Sequence, residues 1–120
     1  MQPEYRLDGD LYALYWGDEC LFETEVVAVL VNTHSGSMLK HGQPGVVEAY
    51  FHSMRTAYLT QGFTEQASNL VVMSGKFDIE DLNKMIAITG YAGQLYAKTM
   101  ASRAQGFNSI PQEKETPNGG

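Results

Sequence analysis

The chain predicts an α+β fold: a mostly antiparallel sheet of four to five strands carrying two helices, the C-terminal one long. Three observations carry this prediction. Short aromatic and β-branched runs, separated by turn residues, fill most of the first forty positions. A segment with apolar residues at helical spacing follows at 44–61, then one more β-branched run. A second helical segment spans 78–105. With 120 residues and no linker or internal repeat, residues 1–105 read as one α+β domain able to bury its own core. Residues 106–120, polar with two prolines, read as a disordered tail.

Residues 1–9 read as a frayed start. Leu11–Trp16 is rich in aromatics and suits a strand. Gly17-Asp18 supplies turn chemistry, so 19–25 returns as the second arm of a hairpin. Val26–Asn32 is a continuous β-branched run, the pattern of a strand buried on both faces; Glu25 marks either a break or a bulge before it. Residues 33–37 turn the chain, and Met38–Lys40 resumes as a short strand. Pro44 opens the first helix, where its missing N–H costs little. The apolar face of that helix is Val47, Tyr50, Phe51, Met54 and Tyr58. Gly62 ends it, with Phe63 packing back. After a polar connection at 64–69, Leu70–Met73 forms a further strand, closed by Ser74-Gly75.

Asp78 caps the last helix, and Glu80 and Asp81 sit at the positive end of its dipole. Two stripes run along it. Large apolar residues, among them Leu82, Met85, Ile86, Tyr96 and Met100, face the core. Small residues fall at Gly90, Gly93, Ala97, Ala101 and Ala104. A straight helix over 79–105 would run about 40 Å at ~1.5 Å per residue, against a radius of gyration of roughly 13–14 Å for such a domain. Either the glycines break or kink it, or its far half docks on another subunit. Glycine inside a helix costs up to about 1 kcal/mol, so the stripe has a packing purpose. That purpose is a close crossing within one subunit or a homo-oligomer built through the C-terminal helix, and the expectation is the homo-oligomer.

Composition narrows the function. A net charge of −6 with only eight Lys plus Arg argues against a nucleic-acid partner, while leaving room for a local pocket for a small anion. The longest apolar run, 26–31, is too short to span a membrane. Cys20 is the only cysteine and the N-terminus has no leader pattern, so a soluble cytoplasmic protein is expected. His34, His41 and His52 lack metal-ligand spacing, and no metal or cofactor is implied. Asp8-Gly9-Asp10 with Glu19 fails as a calcium loop, because Ala13 stands where the sharp turn needs glycine. His34-Ser35-Gly36-Ser37 with Lys40 lacks P-loop spacing, and no nucleophile elbow occurs. The carboxylate pairs Glu23/Glu25 and Glu80/Asp81 are of the usual solvated kind. The chain therefore reads as non-catalytic.

Over residues 10–105 the order of hairpin, buried strand, helix, strand and long helix, in a small acidic chain, resembles small phage-encoded proteins that counter bacterial immunity. The nearest in kind is the first-described Thoeris anti-defence family of nucleotide sponges. The resemblance implies a non-catalytic oligomer that sequesters cyclic ADP-ribose-type signals, with an aromatic stacked on the base and arginines on helices. It carries ligand binding onto Arg55, Phe77 and Arg103; Asn83, outside the family's spacing, is added as a polar partner for the ligand. The alternative is a protein-interaction or inhibitor module of a mobile element, acting through its acidic surface.

Overall fold

Among the described residues six strands and four helices follow in the order β1 (Glu4–Asp8), β2 (Leu11–Trp16), β3 (Glu19–Thr24), β4 (Val27–Asn32), β5 (Met38–Gly42), α1 (Pro44–Thr60), α2 (Thr64–Ser68), β6 (Leu70–Gly75), α3 (Ile79–Ala87) and α4 (Tyr91–Ala104). The computed structural model describes residues 2–104, with side chains through residue 101. The α+β class holds, but the strands form two antiparallel three-stranded sheets, β1-β2-β3 and β5-β4-β6, in place of one. Glu25 is a break rather than a bulge. With Val26 it forms a bend at which the chain leaves the first sheet and enters the second.

The supposed frayed start contains β1, paired with β2 from Glu4–Tyr15 to Asp8–Leu11. Gly9-Asp10 and Gly17-Asp18 are matching two-residue connections, with φ of 63° and 64° at their glycines. Short hairpin loops need this left-handed backbone, and glycine adopts it at no steric cost.

β4 is buried from Val27 to Val31, and its alternate residues enter two cores. Ala28 and Leu30 pack with Val47 of α1 and Leu70 of β6, supported by Phe51, Met54 and Tyr58. Val27, Val29 and Val31 pack on the opposite side with Tyr5, Tyr12 and Leu14 of the first sheet and with Leu82 and Met85 of α3. Three polar clasps join the first sheet to this second core. The Tyr5 hydroxyl lies 2.6 Å from His41 Nδ1. The Asn83 amide accepts from Tyr5 N–H at 2.7 Å and donates to Tyr5 C=O at 3.1 Å. The Tyr12 hydroxyl donates to the Phe77 carbonyl at 2.7 Å.

Gly62, at φ 86°, ends α1, and Phe63 folds back with its ring 6.5 Å from that of Tyr58. The polar connection at 64–69 contains the short helix α2. The Asp78 carboxylate caps α3, accepting from the N–H groups of Glu80 and Asp81 at 3.1 and 3.3 Å.

The expected long helix is two helices. Ile88 is extended and Gly90 takes φ 87°, a conformation that ends one helix before α4 begins. Gly93 donates its N–H to the Gly36 carbonyl at 3.0 Å, and a Cβ there would lie 2.5 Å from Gly36 Cα. Both glycines thus have reasons within the chain: one breaks the helix, and the other seats α4 against the β4–β5 turn.

Gly93→Ala sets a methyl against backbone that cannot yield cheaply. Overpacking of this kind costs about 1–3 kcal/mol, a loss that denaturant unfolding will show. Burial, and then the neighbouring Lys40 charge, lower the His41 pKa below its ordinary value. The unfolded imidazole takes up a proton below about pH 6.5 while the folded one resists. The unfolded chain therefore binds more protons there, and stability falls as pH drops through that value. Unfolding midpoints measured from pH 7.5 downward will show this fall, and His41→Gln will reduce it.

Candidate functional site

β6 lies at the edge of the second sheet, and the ladder shows which way its backbone points. Thr33 donates to the Asn69 carbonyl at 2.8 Å, continuing a register in which Asn32 faces Leu70 and Val31 faces Val71. Bonded and non-bonded pairs alternate in an antiparallel ladder. Val71, Met73 and Gly75 therefore turn their N–H and C=O groups toward β4, and Val72 and Ser74 turn theirs outward. No strand covers that edge among the described residues. The edge of β1 is treated differently, since Asn83 bonds both backbone groups of Tyr5.

The bare edge of β6 floors a groove of about 630 Å³, lined by residues 71–77 on one side and by Tyr96, Thr99 and Met100 of α4 on the other. Among the described residues, Lys76 is the one charged residue of its lining. Phe77 is half-buried: its ring packs against the core, its carbonyl is tied by Tyr12, and it lines one end of the groove.

Of the residues assigned to a ligand, only Phe77 lines this groove. Arg55 is exposed on α1, which packs against the Ala28/Leu30 face of the second sheet, whereas Phe77 packs against the Val27/Val29/Val31 face. One chain therefore does not bring Arg55 and Phe77 together. Both ends of the Asn83 amide are engaged by Tyr5. The Arg103 and Ala104 side chains lie outside the described residues. Ala97 and Ala101 are exposed on α4.

Sequence reasoning missed Lys76, the outward backbone of Val72 and Ser74, and the groove-facing role of Tyr96 and Met100, which were assigned to the core. A short strand ending in Gly75 and followed by Lys76 was the only available signal. Elsewhere, a side-chain hydrogen bond with Asp8 raises the Glu23 pKa. That pair stands on the face of the first sheet opposite Tyr5 and Tyr12. His41 is half-buried and paired with Tyr5.

Among the described residues no helix is long and apolar enough to cross a membrane. No family model, curated protein or solved structure matches the chain.

Two substitutions separate structural from surface roles. Asn83→Ala leaves the Tyr5 backbone groups without partners and costs roughly 1–3 kcal/mol. Arg55→Ala, on an exposed helix face, stays within about 0.5 kcal/mol of the parent. Urea denaturation of both variants checks this, and equal stability of the two would remove the structural role of Asn83.

Proposed function

We propose that the protein is a non-catalytic recognition module that accepts an extended polypeptide segment along the free edge of β6, beneath α4. The observation that carries this reading is the outward-facing backbone of Val72 and Ser74 at the floor of a groove walled by a helix. An added strand takes its affinity from main-chain hydrogen bonds and its specificity from pockets for alternate side chains. Here Met73, Phe77, Tyr96 and Met100 favour apolar residues at every second position of the guest. No acidic residue is among the described lining of the groove, so the groove and not overall charge selects the partner.

A second reading is favoured by Phe77 and Lys76 lining the same groove. A nucleotide-like anion would stack its base on the Phe77 ring and pair its phosphate with Lys76, and the groove volume suits a small ligand. In that reading the protein sequesters a cyclic nucleotide signal, and Lys76 takes the part that the family resemblance assigns to helix arginines.

One pair of variants tells the readings apart. Ser74→Pro removes an N–H that points away from β4, a position where an edge strand tolerates proline. It should weaken capture of peptides selected from a random display library by about tenfold or more, with the melting temperature held. Lys76→Ala, at an exposed side chain, should leave peptide capture nearly unchanged. If the ligand is a nucleotide, Lys76→Ala instead weakens binding by roughly ten- to a hundred-fold in calorimetry against cyclic mono- and dinucleotides and cyclic ADP-ribose isomers. A display selection that yields no Ser74-dependent peptide would sink recognition of a foreign segment at this edge.

A further inference from the structure

We infer that the segment received by β6 is β6 of a second copy of this chain, paired antiparallel across a twofold axis at Met73. The inference rests on the strand-addition reading and names its occupant. Val72 and Ser74, the residues with outward backbone groups, flank Met73 symmetrically. An antiparallel copy centred there sets Val72 opposite Ser74 of the second copy, and Ser74 opposite its Val72. Each pair exchanges two N–H···O=C bonds, as bonded pairs in an antiparallel ladder do. The β5-β4-β6 sheets of the two copies become one six-stranded sheet, and the contact closes on itself as a twofold interface must.

The side chains agree with this pairing. Lys76, the only charged residue among the described lining of the groove, lies beyond the end of β6, so its two copies fall at opposite ends of the seam and do not meet across it. Gly75, without a side chain, would face Val71 of the second copy.

A second and independent feature lies on α4. Tyr96 and Met100 are half-buried along the groove, while Ala97 and Ala101, one residue further on each turn, are exposed. Residues four apart share a helix face, so this is a small, uncovered strip beside the bare edge. A twofold axis perpendicular to the joined sheet sets both α4 helices on the same side of it. The alanine strips would then let those helices approach at the short end of the usual ~8–10 Å spacing. The composition of β6 supports the same conclusion. An unpaired edge invites association unless something blunts it. β6 carries no proline, and no charged residue within Leu70–Gly75, to blunt it.

Sedimentation velocity of the full chain, from low to high micromolar protein without added ligand, tests the inference. The expected result is a species of twice 13.3 kDa that dissociates on dilution, with the Val72 and Ser74 amides protected from hydrogen exchange only in the dimer. Ser74→Pro gives a folded monomer. Ala97→Leu weakens association at least about fivefold, since overpacking costs about 1–3 kcal/mol. A 13.3 kDa species at every concentration overturns the inference, as does a dimer that survives Ser74→Pro. A monomeric parent that captures display peptides in a Ser74-dependent way overturns the second copy and leaves strand recognition standing. A Ser74-dependent dimer that captures no peptide supports the second copy and removes recognition of a foreign segment.

Discussion

β4 has apolar neighbours on both sides, and each side recruits a different part of the chain. Its even-numbered residues, Ala28 and Leu30, collect α1 and the Leu70 end of β6. Its odd-numbered residues, Val27, Val29 and Val31, collect the first sheet, α3 and the start of α4. Each buried side chain of Val or Leu size contributes roughly 1.5–3 kcal/mol relative to exposure. A strand so enclosed must lie at the centre of its sheet, with neighbours on both edges to satisfy its backbone. β5 and β6 fill those two places, and from that position β6 presents its far side to the groove.

The first sheet is held over β4 by apolar contact and by hydrogen bonds that fix its orientation. Tyr5 does most of the fixing. Its ring is buried in the core, its hydroxyl meets His41, and its backbone is bonded by Asn83. Burial raises the Tyr5 pKa and lowers that of His41, so both are held neutral at physiological pH. Tyr12 performs a related task at the next position along the same face, tying the Phe77 carbonyl and with it one end of the groove. The groove is thus shaped partly by a sheet that does not line it.

α4 is the element least committed to the core. The Gly36–Gly93 contact and Ala92 anchor its first turn, and the Tyr91 hydroxyl donates to Asp81 of α3 at 2.7 Å. Beyond that turn one side of the helix walls the groove and another carries exposed Ala97 and Ala101. An edge strand, a helix beside it and an uncovered alanine strip form one continuous surface, which is why binding and self-assembly are argued from the same place.

Local chemistry by itself determined much of the secondary structure. Gly17-Asp18, Pro44, Gly62 and Asp78 each act within a few residues of themselves, and the hairpin, the bounds of α1 and the cap of α3 were legible from them. The β-branched run 26–32 also declared its burial on both faces, because no other environment suits five consecutive apolar side chains, Val27 to Val31, in a strand. β1 was legible too and was missed: Gly9-Asp10 has the same form as Gly17-Asp18. Only tertiary structure decided the rest. The split into two sheets depends on a bend at Glu25-Val26 that several polar or apolar residues could make. The break at Gly90 depends on whether glycine takes positive φ or helical φ, and both are open to it. Asn83 became a strand cap because a residue 78 positions away arrived beside it. The bare edge at Val72 and Ser74 is a property of backbone direction, and every residue carries the same N–H and C=O. Side-chain identity therefore encodes nothing about which strand is left without a neighbour.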